Sequence, residues 1–549
     1  MRTSLVEIIN LRAIQMANEL RGLDDLTERT EIFFKSGVLT DVPQLRENCA
    51  HRISVAKEEL RRSLLNSNPL HLLASLALEM FARPRDDSRD IPVMIPFTQS
   101  SLELLQAFSL QYPISEYTTT PASSHDALSK LVREIPSLVF FERILGWQQE
   151  SEENRAKRMI RERLMSHTES NRITAYPQQM REIIVGLYSG IDDEIQTRIG
   201  IRVGRLYEAL DNIIRRIDRK TREYLRVGSG DVIELFSINI EELTQEYGSS
   251  ANSIGLKKVM DNLSYDFGDL QRKSVDHFIL DNPVWTKPFI RGNGKYYCFS
   301  PGTLWYFGLS ICEALVDKKL YDRRKGEYLE EAISSLFRSH SSIVLSGSKW
   351  KDPSGNEGEN DVTAIIGTCC VICEAKAGKL PIRAKRGDPM AIASTIGETL
   401  RHGIKQAAHF ESVLKSSNGI HSFITRRGME NRVDCQGIDA YINLVVTMLP
   451  LGMLNGSISQ WVNAGILTRP SNSVVCISLP HLMSVFELLK LRAEILRYFQ
   501  WRVRVEQQTE YYGDELDLLS LFRQGRAEEI FQNGDIADEA KKLTKYLLK

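Results

Sequence analysis

The chain has 549 residues, of which 42% are hydrophobic and 26% are charged, and its formal net charge is −1. This length allows about three or four domains, and the apolar content is enough to fill their cores. Because the net charge is close to zero, the chain as a whole is not basic enough to attract nucleic acid. Any contact with nucleic acid would therefore need a local patch of basic residues.

Residues 1–150 carry apolar residues at three- and four-residue spacing, which predicts a mostly helical N-terminal domain. The opening apolar stretch contains Glu7 and Arg12, which indicates a helix and not a signal peptide. Residues 92–96 are interpreted as a short strand or an extended connector. The chain has no apolar run of 18 residues, so we expect no membrane span, and its eight scattered cysteines suggest free thiols in the cytoplasm.

Residues 151–284 are predicted to form a second helical and highly charged region. The stretch at about 148–164 indicates a solvated helix or an exposed link, and residues 199–225 show the clearest amphipathic pattern. Neither helical region carries a catalytic signature. We therefore expect the N-terminal half to serve in scaffolding, assembly or recognition.

The pattern changes near Pro283, and residues 285–500 are predicted to form an α/β domain. A hairpin is expected around residues 292–294, followed by two helices, three strands, a long helix over about 390–415, two strands and a helix over 481–499. Such an order predicts a mixed sheet flanked by helices. The last segment, 501–549, is interpreted as a polar helical appendage.

The most informative segment is residues 358–376, in which two strand patterns flank the pair Gly367-Thr368. Glycine at the first position of a two-residue turn is typical of a type II′ hairpin. Folded at that turn, the segment sets Asp361 opposite Glu374, with their Cβ atoms about 5 Å apart. Side chains alternate along a strand, so Lys376 is expected on the same face.

Two carboxylates at this separation repel each other by roughly 3 kcal/mol at an effective dielectric constant of about 20. The arrangement makes sense if a hard divalent cation lies between them, and Mg²⁺ prefers one or two carboxylates with waters and substrate phosphates. A neighbouring lysine can orient or deprotonate an attacking water, or stabilise charge on a phosphate. Asp361, Glu374 and Lys376 are therefore the candidate site.

Because of this hairpin and the residues that flank it, the segment at about 320–480 resembles the PD-(D/E)XK nuclease superfamily, which has the restriction-endonuclease-like fold. The resemblance is strongest to the Mrr-like and NERD-like branch of that superfamily. The shared pattern is a helical glycine followed four residues later by a glutamate, a GExD element, an ExK strand end and a glutamine on the next helix. One departure is Asn360, which stands where many members have a proline. The matching residues are Gly326, Glu330, Asp361, Glu374, Lys376 and Gln406.

The resemblance implies a mixed-sheet nuclease core that hydrolyses phosphodiester bonds with Mg²⁺, for which Mn²⁺ can substitute. It implies that Asp361, Glu374 and the main-chain carbonyl of Ala375 bind the metal, that Glu330 reaches it directly or through water, and that Lys376 serves the attacking water. The expected activity is that of a DNA endonuclease, and the domain plan resembles bacterial restriction or phage-defence effectors. The implied partners are nucleic acid and either further copies of the chain or a separate ATPase, helicase or sensor subunit.

Two other interpretations stay open. The chain could be a catalytically silent nuclease-fold module that binds nucleic acid or assembles a complex, or an RNA-directed hydrolase on the same core. An ExK motif alone is weak, because a second copy at residues 539–541 lies in the polar tail without a strand pattern or a partner aspartate.

Basic residues that follow the candidate site are interpreted as phosphate contacts, although a charge run usually marks a solvated face. Cys370 and Cys373 form a CxxC without a second ligand pair, so they are interpreted as core residues. Of two neighbouring glutamates, Glu330 is the predicted site member and Glu331 the solvent-facing one. The basic residues are Lys379, Arg383, Lys385, Arg386, Arg401 and Lys405.

Overall fold

The described residues of the computed structural model form two compact units, which are described separately: those within 42–142 with 180–318, and those within 177–179 with 319–531. The predicted elements near the N-terminus, at 92–96 and at 148–164 lie outside the described residues. The described residues are 42–82, 99–119, parts of 128–142, 177–247, 250–274, residue 278, and 281–531 except for gaps at 353, 379–380, 386–387, 417–418, 426–427, 451–457, 464–466, 471 and 510–514.

The first unit is mainly helical and carries a small sheet in the strand order β1-β4-β3-β2. Its strands are β1 (Ser237–Ile238), β2 (Ser264–Tyr265), β3 (Phe289–Gly292) and β4 (Lys295–Tyr297). Its helices are α1 (Val42–Leu65), α2 (Pro69–Ala82), α3 (Gln99–Ser109), α4 (Pro177–Ser189), α5 (Asp192–Ile199), α6 (Val203–Val227), α7 (Val232–Leu235), α8 (Ile240–Tyr247), α9 (Ser250–Asn262), α10 (Gly302–Tyr306) and α11 (Gly308–Leu315).

Helix α6 corresponds to the amphipathic pattern predicted over 199–225. Gly200, with a φ of 86°, ends α5, so the pattern is split there and α6 begins at Val203. At the other end, Gly228 has a φ of 73° and its N–H donates to the Tyr224 carbonyl, which is the left-handed ending common to helices. The apolar residues of the pattern are buried along one face: Leu206, Leu210, Ile213 and Ile217.

The hairpin predicted around residues 292–294 is formed by β3 and β4, with positive φ at Asn293 and Gly294. It pairs with β1 and β2, which come from the helical half of the chain. The hairpin therefore belongs to the first unit, whereas the sequence analysis assigned it to a domain beginning at 285. Hydrogen bonding between distant strands, which local patterns do not reveal, accounts for this difference.

The second unit is built on a mixed sheet in the order β11-β10-β7-β6-β5-β8-β9. A helical N-terminal half and a mixed sheet in the C-terminal half are thus as expected. The strands are β5 (Ile343–Lys351), β6 (Glu357–Ile366), β7 (Cys369–Lys376), β8 (Ile420–Thr425), β9 (Glu430–Asp434), β10 (Ala440–Thr447) and β11 (Val474–Ser478). The helices are α12 (Lys318–Arg338), α13 (Ile382–Lys385), α14 (Pro389–Lys415), α15 (Ile458–Asn463), α16 (Leu479–Leu488), α17 (Arg492–Gln508) and α18 (Glu515–Arg523).

Helix α14 covers one face of this sheet and confirms the long helix predicted over about 390–415. Asp388 begins it by accepting hydrogen bonds from the N–H groups of Met390 and Ala391, and Pro389 occupies the first turn. Its buried apolar residues pack against Ile365, Cys370, Ile372, Val445 and Cys476 of the sheet. The buried residues of the helix in these clusters are Ile396, Leu400, Ala407, Phe410, Val413 and Leu414.

Three parts of the second unit differ from the predicted elements. The edge hairpin β8–β9 is missing from the prediction, because each strand is short and buries few side chains. The helix predicted over 481–499 is two helices, since the backbone is extended at Leu489 and Leu491. The predicted appendage over 501–549 does not stand apart in its described part, because α17 runs through position 500 and α18 is buried. Within the described residues, no helix combines the length and apolarity needed to cross a membrane.

Candidate active site

Strands β6 and β7 form the hairpin that was predicted from the Gly367-Thr368 turn. Gly367 has a φ of 62°, which is the left-handed conformation required at the first turn position. The predicted register is confirmed by pairs that run from Ile366 with Cys369 to Val362 with Cys373. Continued by one step, the same register sets Asp361 opposite Glu374.

Asp361 lies at an irregular point of the sheet. Its Oδ2 accepts a hydrogen bond from the main-chain N–H of Ala375 at 2.8 Å, so this side chain joins the strands just beyond their last main-chain pair. On the other side, the β5–β6 ladder omits the pair between Asp361 and Gly347, which has a φ of 65°. Gly347 is a position that sequence reasoning missed; a single glycine inside a strand pattern was the available signal.

Glu374 is 1% exposed, and both of its carboxylate oxygens accept hydrogen bonds. Asn360 Nδ2 donates to Oε1 at 3.1 Å, and Lys376 Nζ donates to Oε2 at 3.2 Å. Burial and the nearby charge of Asp361 raise the pKa of Glu374 to about 8, while Lys376 and Asn360 oppose this shift. Ionising the buried Glu374 is therefore costly unless a further cation balances its charge.

Lys376 links β7 to the helix above it. Its Nζ donates to Gln406 Oε1 of α14 at 2.7 Å as well as to Glu374, and its side chain is 17% exposed. The predicted Lys376, Glu374 and Gln406 are thus brought together by direct contacts, and Asp361 joins them through the N–H of Ala375.

The close approach of α14 to Lys376 depends on Gly403. A Cβ atom at this position would lie 2.8 Å from Val445 Cγ1 and 3.1 Å from Lys376 Cε. Sequence reasoning did not select Gly403, although an isolated glycine inside a helical pattern often has such a packing reason.

Replacing Gly403 with alanine is expected to lower the free energy of unfolding by about 1–3 kcal/mol, because overpacking outweighs the better helix propensity of alanine. The matched control is Gly326→Ala in α12, where a Cβ meets no atom within 4 Å. That change is expected to stabilise the protein by about 0.5–1 kcal/mol. Urea unfolding of both variants measures the contrast, and a stabilised Gly403→Ala variant would contradict the packing argument.

Glu330 lies half-buried on α12, and its role as a metal ligand stays a prediction. Ser334, four residues on, shares its helix face, and Ser334 Oγ lies 2.7 Å from Ser346 Oγ of β5. The face that carries Glu330 is therefore turned towards β5. Glu331 is exposed and accepts hydrogen bonds from Arg324, as expected of the solvent-facing member.

The predicted phosphate contacts are described only in part. Arg383 lies exposed on α13, and its guanidinium pairs at 2.6 Å with Asp388, the residue that begins α14. Arg401 and Lys405 are exposed and one helical turn apart on α14, the helix that carries Gln406. The remaining groups lie outside the described residues: Lys379, Arg386 and the side chain of Lys385.

Two of the sequence motifs, GExD and CxxC, contain residues with packing roles. A Cβ atom at Gly358, the glycine of the GExD element, would lie 2.3 Å from Cζ2 of Trp350, so this glycine admits the indole ring. All eight cysteines of the chain are buried and unbridged, including Cys370 and Cys373, in agreement with their interpretation as core thiols. Burial raises the pKa of both thiols.

The donors at the site fit a magnesium ion. Asp361 and Glu374 supply two carboxylates, and the main chain of Ala375 lies beside Asp361. Mg²⁺ is bound through one or two carboxylates with several retained waters. Where the structure describes the chain, no group of three or more His, Cys, Asp and Glu side chains is arranged to hold a metal ion.

Comparison of the chain with protein-family models, with curated proteins and with solved structures gave no match. The features that bear on function are therefore the contacts at the ends of β6 and β7 and the strand order around them.

Proposed function

We propose that the chain is a Mg²⁺-dependent endonuclease of the PD-(D/E)XK type that acts on DNA. The observation that carries this proposal is the cluster formed by Asp361, Glu374 and Lys376 at the end of one hairpin. The order α12, β5, β6, β7, α14 and β10, with α13 and the edge hairpin β8–β9 inserted, supports it. A helix, three strands, a helix and a further strand are the arrangement expected of the nuclease core. In particular, β10 returns parallel to β7 after α14, so the helix packs over the strand that carries the site.

The residues of the chain suit the expected reaction. A bound Mg²⁺ would supply charge stabilisation at the scissile phosphate and a bound water of lowered pKa. Asp361, Glu374 and the carbonyl of Ala375 would hold the ion. Lys376 places an ammonium group beside these carboxylates, where it can orient a water or stabilise phosphate charge.

The region around the cluster suits a polyanionic substrate. Gln406 fixes Lys376 by accepting its hydrogen bond, which reduces the freedom of a flexible side chain. Arg401 and Lys405 lie exposed on the same helix, five residues and one residue before Gln406. Phosphate contacts from such residues position the substrate but do not read its sequence.

The test is cleavage of duplex DNA, single-stranded DNA and RNA in Mg²⁺, Mn²⁺ or EDTA. The wild type is expected to cut duplex DNA with Mg²⁺ or Mn²⁺ and not in EDTA, and Lys376→Ala is expected to be inactive. Lys541→Ala, in the second ExK sequence, is the matched control and should retain full cleavage.

Other outcomes would select the alternative interpretations. Tight DNA binding without cleavage in either metal would favour a catalytically silent module, and preferred cleavage of RNA would favour an RNA-directed hydrolase. Metal-independent cleavage, or cleavage that survives Lys376→Ala, would contradict the assignment of the site.

A further inference from the structure

The amide of Asn360 is fully engaged around Glu374. Asn360 is 1% exposed, and its Nδ2 donates both to Glu374 Oε1 at 3.1 Å and to the Cys373 carbonyl at 3.2 Å. Its Oδ1 accepts a hydrogen bond from Thr363 Oγ1 at 2.6 Å. Two donors and one acceptor are thereby satisfied in one orientation, so the amide cannot turn over without losing all three contacts.

This contact set requires the irregularity of β6. In a regular strand, side chains at positions 360 and 363 point to opposite faces. Here Asn360 and Thr363 are hydrogen-bonded to each other, and the ladder to β5 is interrupted between them at the Asp361–Gly347 position. The distortion turns Asn360 onto the face of Glu374, where a regular strand would place it on the opposite face.

We propose that Asn360 and Thr363 are positioning residues that fix the carboxylate of Glu374 and thereby set the affinity of the site for a divalent cation. The inference rests on the proposed function only in taking Glu374 as a metal ligand. Asn360 holds Oε1, and Thr363 in turn holds the amide of Asn360. Loss of partners that orient a metal ligand typically lowers metal affinity or activity by about 10–100-fold.

The experiment measures Mn²⁺ binding to the full chain by electron paramagnetic resonance, which does not require cleavage. Thr363→Val removes the hydroxyl with little change of shape and is expected to raise the Kd for Mn²⁺ by about 10-fold or more. Thr363→Ser keeps the hydroxyl and should restore near-normal affinity. Thr425→Val is the control, because Thr425 is also a buried sheet threonine, and its hydroxyl accepts a hydrogen bond from the Met429 N–H.

A second pair of variants tests whether Asn360 and Thr363 act as one unit. Asn360→Ala should weaken Mn²⁺ binding at least as much as Thr363→Val, and adding Thr363→Val to Asn360→Ala should cause little further loss. Equal Mn²⁺ affinity in Thr363→Val and in the wild type would overturn the inference, as would an equal loss in Thr425→Val.

The result separates this inference from the proposed function. Mn²⁺ binding that depends on Thr363, without cleavage of any nucleic acid, would sustain the positioning role and reject the endonuclease. Cleavage of nucleic acid by the wild type, with unchanged Mn²⁺ affinity in the variants, would sustain the endonuclease and reject the positioning role. A wild type that binds no Mn²⁺ would reject both.

Discussion

Replacing Asp361 with asparagine is expected to abolish cleavage and, at the same time, to stabilise the metal-free protein. The substitution removes the charge of Asp361, which together with burial raises the pKa of Glu374, so the buried Glu374 carboxyl costs less to keep in the folded protein. The asparagine oxygen can still accept the hydrogen bond from the Ala375 N–H, so the strand contact is kept. We therefore expect the free energy of unfolding in EDTA to rise by about 1–2 kcal/mol.

The loss of activity follows from the same change. Asp361 is one of two carboxylates proposed to hold the ion, and an amide is a weaker ligand without charge. A decrease in cleavage rate of at least about 10³-fold is expected, which corresponds to about 4 kcal/mol of transition-state stabilisation. Urea unfolding in EDTA and the plasmid cleavage rate in Mg²⁺ measure the two effects on one preparation.

Asp434→Asn is the matched control. Asp434 also lies on a strand of this sheet and accepts a main-chain hydrogen bond, from Gln436 at 2.9 Å, but it is exposed. Its replacement is expected to change stability by less than about 0.5 kcal/mol and to leave cleavage intact. An Asp361→Asn variant that is clearly less stable than the wild type would identify Asp361 as a structural residue, and one that still cleaves would exclude it from the site.

The hairpin and its carboxylates were predictable because their determinants are local. Gly367 selects the turn, the turn sets the register, and alternation then fixes which side chains share a face. The same reasoning could not find Asn360, because alternation places it on the wrong face. The hydrogen bond from Asn360 to Glu374 accompanies the missing pair between Asp361 and Gly347, which is a feature of two strands together.

Tertiary packing explains the other differences. Gly403 matters because β10 and Lys376 approach α14 closely, which no local pattern encodes. The charged sequence beyond residue 500 suggests a solvated helix, because charged side chains are rarely fully buried unless they are paired. Here Arg502 of α17 pairs with Glu506 of the same helix and with Glu515 of α18. Because these charges are paired, both helices can be buried in the core and do not form the expected appendage.

Replacing Arg502 with methionine is expected to destabilise the second unit by about 3–5 kcal/mol. Arg502 is 0% exposed; its Nε donates to Glu515 Oε1 at 2.8 Å, and its Nη2 donates to Glu506 Oε1 at 3.1 Å. Tyr498 also donates to Glu515, and the Ile458 N–H donates to Glu506. Methionine leaves two buried carboxylates without their cation, and breaking a buried pair in this way typically costs about 3–5 kcal/mol.

This loss should grow with pH. Burial raises the pKa of Glu506 to about 7, and Arg502 opposes the rise. The folded-state pKa of Glu506 lies above its unfolded value of about 4.5. The stabilisation linked to proton binding is therefore fully present below a pH of about 4.5 and is lost as pH rises through about 7. Without Arg502 the pKa rises further, so the difference between variant and wild type should be larger at pH 8 than at pH 5.

The control for this prediction is Arg504→Met, two residues along the same helix. Arg504 is exposed and pairs with the exposed Glu528 at 3.0 Å, so its replacement should cost less than about 1 kcal/mol at either pH. Urea unfolding at pH 5 and pH 8 measures both variants. If Arg502→Met and Arg504→Met lose similar stability, or if the loss for Arg502→Met shrinks as pH rises, the buried cation does not hold α17 and α18 together as argued.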